Sequence, residues 1–328
     1  MSLCLGLAAP LERALQGLAA ACALGAALAD WGRMSLSPHG RRRLRLLSRL
    51  RARVHRFGSR RLAAQTLSFS LLFGIPALGL ARFDLWAGHH RWLGAPAGTA
   101  QGLAGVLLSV AALYFATFLV NAFTGRLFCG WGCPLGQAAA LEDQREAAGE
   151  AAQRRARLGA WGYRLLLASS LTSWWVDPAV LLSGDWPAMG LTLSGWGALV
   201  GLLTLHARRW RWAFCRGACP IGLYYSVVQT QHALGVHFDA ASEVCRGCNA
   251  CGTICPVGLD PRALGQVLGE RGGLSIGGFP ARNHCLSCGL CVEACELAVN
   301  RRPPLSLSMG APSDAQGAEA TKSPVRAA

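Results

Sequence analysis

Cys245, Cys248, Cys251 and Cys255 form a C-x2-C-x2-C-x3-C run closed by Pro256, and Cys285, Cys288, Cys291 and Cys295 repeat the spacing downstream. In such a tandem, three thiolates of one run wrap one iron–sulfur cubane and the fourth reaches the other. The pattern groups Cys245, Cys248 and Cys251 with Cys295, and Cys285, Cys288 and Cys291 with Cys255, around two 4Fe-4S clusters. Soft thiolate sulfur suits iron–sulfur iron. The alternatives are a zinc site or a disulfide framework, but zinc sites usually separate two C-x2-C pairs by a longer gap. The chemistry implied is one-electron transfer.

A second pair of cysteine motifs is less ordinary. Phe128-Cys129-Gly-Trp-Gly-Cys133-Pro134-Leu-Gly136 and Phe214-Cys215-Arg-Gly-Ala-Cys219-Pro220-Ile-Gly222 share the pattern F-C-x3-C-P-x-G, 86 residues apart. A spacing of four puts both thiols on one face if the segment is helical, and Pro134 and Pro220 suit the first turn of a following helix. Side by side, the two repeats would bring Cys129, Cys133, Cys215 and Cys219 into one redox-active or metal-binding group. Nearby Arg126, Arg211 and Arg216, with the helix N-termini, are expected to ease thiol ionisation. The plainer alternative is that glycine and proline shape a tight re-entry and cysteine is filler. Cys4 and Cys22 have no metal-like spacing and read as small apolar residues.

Composition says where these sites must be held. Hydrophobic residues make up 52% of the chain, only 15% are charged, and mean hydropathy is +0.31, which points to the membrane class. Leu62–Ala81, Leu103–Thr124 and Trp186–Ala207 are apolar runs without Asp, Glu, Lys or Arg. Each is long enough to cross a hydrocarbon core of ~30 Å. Leu158–Val176 is a fourth candidate, interrupted by Arg164, which is expected to snorkel to the headgroups. The expected fold class is therefore membrane α-helical: four transmembrane helices plus a C-terminal α+β domain of the bacterial two-cluster ferredoxin type. The expected parts are an N-terminal apolar segment and Arg-rich arm (1–61), a membrane domain (62–223), a ferredoxin domain (240–302) and a tail (303–328).

Orientation follows from arginine. Eleven Arg and no acid lie from Arg33 to Arg61; Arg126, Arg145, Arg154, Arg155 and Arg157 lie between Leu103–Thr124 and Leu158–Val176; Arg208, Arg209, Arg211 and Arg216 follow Trp186–Ala207. Asp177–Met189 carries no Lys or Arg. The positive-inside rule then places the arm, the middle segment and the ferredoxin part in the cytoplasm of a multi-pass inner-membrane protein. Trp86, Trp92, Trp174, Trp175 and Trp186 fall at the outer boundary, and Trp131, Trp161, Trp210 and Trp212 at the inner one. The net charge of +15 answers anionic lipid; with no nucleic-acid module beside it, a nucleic-acid partner is not expected. A reducing cytoplasm also argues against disulfides.

The ends read differently. Ala14–Ala29 is apolar but short, and reads as a fifth span, an interfacial helix, or a segment upstream of a true start at Met34. A cleaved signal peptide is not expected, because the basic residues follow the apolar run. Pro303–Ala328, rich in Ala, Ser, Pro and Gly without aromatics, reads as a disordered tail.

The full set of cysteines, with Cys129/Cys133/Pro134 and Cys215/Cys219/Pro220 ahead of the two ferredoxin runs, resembles the NapH-type ferredoxin family from about Arg41 to Arg302. That family includes the quinol dehydrogenase membrane component of periplasmic nitrate reduction and the related MauN-type protein of methylamine utilisation. Trp175-Val-Asp177-Pro178 is similar to its W-x-N-P stretch, with Asp in place of Asn. Glu296 follows Cys295 where the motif has proline. A flavin domain as in NosR-like relatives and an immunoglobulin-like domain as in CcoG-like relatives are not expected.

The resemblance implies an electron-transfer protein that takes electrons from membrane quinol through two 4Fe-4S clusters. It also implies a partner redox protein as acceptor, another ferredoxin or a cytochrome subunit. Two alternatives are a copper or other metal reductase or maturation factor using the C-x3-C-P cysteines, and a scaffold subunit for assembling a redox enzyme. Quinol oxidation needs a proton acceptor. His89, His90 and His206 qualify by residue type alone, and an interfacial histidine is more often structural.

Overall fold

The computed structural model describes residues 43, 45–47, 57–86, 88–228, 234–239, 242–245, 247–264, 275–276, 279–280, 284–299 and 303–308. The expectations for Ala14–Ala29, most of the Arg-rich arm and the distal tail lie outside them. The helices are α1 Gly58–Ala77, α2 Thr99–Thr124, α3 Leu127–Trp131, α4 Pro134–Ala147, α5 Glu150–Ser173, α6 Trp186–Leu205, α7 Arg211–Gly217, α8 Pro220–Val228, α9 Ala250–Ile254 and α10 Leu290–Val299. A 3-10 turn (Pro178–Leu182) precedes α6 and a π-turn (His206–Trp210) follows it. Three small antiparallel sheets join β1 Ala81–Arg82, β2 Arg91–Trp92 and β3 Ala95–Pro96; β4 Gly235–Phe238 and β7 Leu305–Ser308; and β5 Ser275–Ile276 and β6 Phe279–Pro280.

Among the described residues, two helical stretches are long and apolar enough to cross a membrane: α2, and the stretch that starts with α6 at Trp186. The 26 residues of α2 would span about 39 Å at 1.5 Å per residue. Leu107, Leu108, Phe115 and Phe123 of α2 are exposed, as lipid-facing side chains are. Asp185 starts α6 by accepting from the Ala188 N–H at 3.3 Å, with Pro187 in the first turn. Between α1, α5 and α6, the buried Leu167, Ala168 and Leu203 pack with Phe69, Leu72 and Trp196.

The first run is shifted from its expected bounds. Helix α1 begins at Gly58 and stops at Ala77, and Ala81 belongs to a strand instead of a span. The stop is local: Gly79 takes φ +66°, and the Leu80 N–H reaches back to Ile75 O at 2.9 Å, the six-residue closure of a glycine C-cap. The strand residues then build a lid with the end of α5. The Phe83 and Leu85 N–H groups donate to Trp174 O and Trp175 O, and Arg82 pairs with Asp177. That gives the W-V-D-P stretch a role, because Asp177 also caps the 3-10 turn through the Ala179 N–H at 2.9 Å. His90 belongs to this lid: it is buried, stacks on Phe83 at 4.5 Å and accepts the Asp84 N–H.

Arg164 does not snorkel. It is 1% exposed and ion-paired to Glu142 of α4, which is itself fully buried and also meets Arg145 at 2.8 Å and Arg208 at 3.5 Å. The next residue, Asp143, binds Arg43 at 2.6 Å, Arg211 at 3.2 Å and the Trp212 indole N–H at 2.6 Å. The acids of α4 thus gather arginines from the arm, α5 and the end of α6. A charge deprived of its partner in such a site is strongly destabilising. Glu142→Ala should therefore lower the unfolding free energy by roughly 3–5 kcal/mol, seen as a lowered melting temperature in detergent; an unchanged melting temperature would refute this role.

The C-terminal unit exceeds its expected bounds at both ends. β4 pairs antiparallel with β7, Gly235 against Ser308 and Phe238 against Leu305. Leu305 is buried, so the start of the expected tail is part of the fold: alternating Leu and Ser give a strand that packs one face on α10.

Candidate metal centres

Each ferredoxin-type run has the same local build. The second cysteine is flanked by two left-handed residues, Gly247 and Asn249 around Cys248 and Ser287 and Gly289 around Cys288. The third cysteine then enters a helix, Cys251 in α9 and Cys291 in α10. Alternating left- and right-handed residues turn successive backbone N–H groups inward, the concavity that holds anionic groups such as iron–sulfur clusters. Gly289 is needed twice over, because a Cβ there would lie 2.8 Å from the Phe57 ring.

The two halves close two cavities. One is lined by Cys245, Cys248, Cys251 and Cys295 with Phe238 and Leu305; the other is lined by Cys255, Cys285, Cys288 and Cys291 with Val236 and Leu264. The chain thus brings each fourth cysteine to the opposite run's cavity. Among the described residues no three His, Cys, Asp or Glu converge to hold a single metal ion. The donor set, the wrapped N–H groups and the apolar lining fit a cubane.

Burial raises these thiols. Cys285 is pushed up to about 12 and Cys295 to about 11, while Cys251, Cys255, Cys288 and Cys291 are also raised. They are protonated at neutral pH until a metal displaces the proton, so loading releases protons. Cys255 Sγ also accepts the Leu259 N–H at 3.3 Å, a bond of the kind that tunes a cluster's potential.

The paired C-x3-C-P motifs form a third group. Their spacing is not one continuous helix: Cys129 lies in α3, but Cys133 is the extended N-cap of α4, with Pro134 at the first position. The break is repeated. Phe128 O accepts the N–H groups of Gly132 and Cys133, and Phe214 O those of Ala218 and Cys219. The last glycine of each motif packs on the carbonyl of its first cysteine; a Cβ would sit 2.9 Å from Cys129 O at Gly136 and 3.2 Å from Cys215 O at Gly222. The two motifs meet through Arg126, just ahead of Cys129, which donates to Cys215 O at 2.7 Å and packs against Gly222 of the second motif. The expected easy ionisation does not hold for the first motif: burial raises Cys129 against the pull of Arg126 and pushes Cys133 up to about 11.

Further groups frame this site. Tyr163 donates to Pro134 O at 3.2 Å. His206, buried in the π-turn, lies 3.4 Å from Leu135 O and edge-on to Phe214 at 5.2 Å, between the two motifs. His89 is exposed and His90 belongs to the outer lid, so of the three histidines only His206 is near the thiols. In the sequence Arg126 reads as a topology charge and as a neighbour that eases thiol ionisation; its bridging of the two motifs is not legible there. It is 1% exposed, donates to Cys215 O at 2.7 Å and to the Cys129 sulfur, and thereby links the two repeats. Its signal was a basic residue three positions before the first motif's cysteine.

A family model described as a 4Fe-4S binding domain matches residues 103–140 and 189–235, two segments that each hold one long apolar helix and one C-x3-C-P motif. The ferredoxin-type protein NapH of Escherichia coli is 30% identical over 181 residues, covering 52% of this chain and 59% of that protein. NapH of Haemophilus influenzae is 28% identical over 180 residues with the same coverage. The nitrogen fixation protein FixG of Rhizobium meliloti is 26% identical over 226 residues, 56% of this chain and 39% of FixG. The chain thus spans about three fifths of the NapH proteins and two fifths of FixG. No solved structure matches. With repeated motifs and cysteine-lined cavities beside these matches, the chain is similar to the NapH-type ferredoxin proteins over about half its length.

Proposed function

We propose that this protein is the membrane-bound electron-transfer subunit of a quinol dehydrogenase system. It passes electrons from quinol to a partner redox protein, another ferredoxin or a cytochrome. One observation supports the reading: the first C-x3-C-P motif, at the end of an apolar helix, packs through Gly130 and Trp131 on the loop of Cys285 and Cys288 that lines one of the two cysteine cavities. In this reading Cys245, Cys248, Cys251 and Cys295 hold one 4Fe-4S cluster and Cys255, Cys285, Cys288 and Cys291 the other. When bound, each cluster accepts and returns one electron; the chain's part is to hold, bury and hydrogen-bond the sulfurs. Cys129, Cys133, Cys215 and Cys219 form the redox or metal group that meets the quinol side.

The same proposal has α1, α2, α5 and α6 crossing the inner membrane, with the ferredoxin part in the cytoplasm, supported by the arginine distribution. Reporter fusions after Arg60, Asp143 and Arg301 should read cytoplasmic and those at Gly88 and Ser183 periplasmic; a periplasmic reading at Arg301 would reverse the orientation. The functional test uses membranes that contain this protein as their one iron–sulfur component. Reduced quinol should bleach the visible absorbance of the clusters. Clusters that dithionite reduces but quinol does not would reject quinol as the donor.

A further inference from the structure

We propose that the cavity of Cys255, Cys285, Cys288 and Cys291 is the membrane-side station of the electron path. It is joined to the paired-cysteine group through Gly130 and the buried Arg126, while the cavity of Cys245, Cys248, Cys251 and Cys295 is the outlet. This order rests on the electron-transfer reading above but needs no particular donor.

The join is made of backbone. Gly130, beside Cys129, packs so closely on the second run that a Cβ would stand 2.3 Å from Leu286 O and 3.1 Å from Cys288 Cβ. The next residue, Trp131, donates its indole N–H to Ser287 O at 3.0 Å, and its ring lies 6.0 Å from Phe57, which packs on Gly289. The first C-x3-C-P motif is thus pinned against the loop that carries Cys285 and Cys288. Arg126 lies behind the same join. It is held by Cys215 O, packs against Gly222 (a Cβ there would meet its Nη2 at 2.5 Å), and its own carbonyl accepts the Gly130 N–H at 3.3 Å. The two cavities are joined in turn by the packing of α9, which carries Cys251, on α10, which carries Cys291 and Cys295. At the far end Cys248 is exposed, whereas Cys288 is only partly so.

Each handover moves one electron, with no bond made and no proton carried. The quinol loses two electrons and two protons, and a partner redox protein takes the electrons singly. Arg126 is a positioning residue in this path: a buried cation favours the reduced, more negative cluster beside it.

The test is a potentiometric titration of the full chain against chemical mediators, so quinol is not required and its failure as donor would not disturb the result. Cys248→Ser and Cys288→Ser identify which signal belongs to which cavity. Arg126→Gln should lower the potential of the Cys288-side cluster by a tenfold change in its reduction equilibrium, about 59 mV for one electron. The Cys248-side cluster should stay unmoved, and Arg126→Lys should restore most of the shift. A shift confined to the Cys248-side cluster, or none at all, would overturn the order. Where Arg126→Gln does not accumulate, Gly130→Ala provides the second reading. It should alter the paramagnetic resonance spectrum of the Cys288-side cluster alone; equal change in both clusters, or in neither, would overturn the proposal.

Discussion

Alanine at Cys129 or at Cys215 should abolish quinol-driven reduction while leaving both ferredoxin-type clusters assembled and reducible by dithionite. The separation is expected because the two sets of cysteines are built by different elements. Cys129 and Cys215 belong to short helices α3 and α7 at the ends of the apolar stretches, and the cavity cysteines belong to α9, α10 and their preceding loops. A thiol lost from the first set removes no ligand from either cavity. The measurement is the extent of cluster bleaching by quinol beside the extent by dithionite. Retained quinol-driven bleaching would return these cysteines to a packing role.

The cavity cysteines should behave in the opposite way. Cys248→Ser and Cys288→Ser should each remove one cluster, because each withdraws a thiolate from a different cavity. Their effects on electron flow should differ. Without the Cys288-side cluster, quinol should no longer reduce the remaining one, since that cavity stands between it and the paired motifs. Without the Cys248-side cluster, the remaining one should still be reduced, and only delivery to the partner should stop. Paramagnetic resonance of each variant after quinol addition reads both outcomes. Equal reduction of the surviving cluster in the two variants would contradict a serial path.

Much of this arrangement is written in local spacing. The cysteine runs carry their own turn chemistry, with Gly247 and Gly289 where left-handed residues are needed, so the grouping of cysteines around cavities can be read without a structure. Pro134 and Pro220 likewise mark helix starts correctly. What spacing does not carry is long-range pairing. Arg164 resembles a snorkelling arginine until Glu142, on another helix, is found beside it. Cys129 and Cys133 look like one helical face, but the Phe128 carbonyl ends the helix by taking the N–H groups of Gly132 and Cys133. The ionisation of Cys129 is hidden from the sequence for a related reason: nearby arginine is visible there, but burial, which outweighs it, is not. Gly130 is the clearest case, because its requirement comes from Leu286 and Cys288, more than 150 residues away.

Everything proposed for electron flow depends on what fills the two cavities, and metal analysis of anaerobically purified full-length protein addresses that first. Two Cys₄-held cubanes require about eight iron and eight acid-labile sulfide per chain. That content should fall by about half in Cys248→Ser and in Cys288→Ser, each of which loses one of the two four-iron clusters. A higher wild-type content that falls on removal of Cys129 and Cys215 would add a cluster at the paired motifs without disturbing the other two. Zinc in place of iron, or a native protein with iron for a single cluster, would contradict the account.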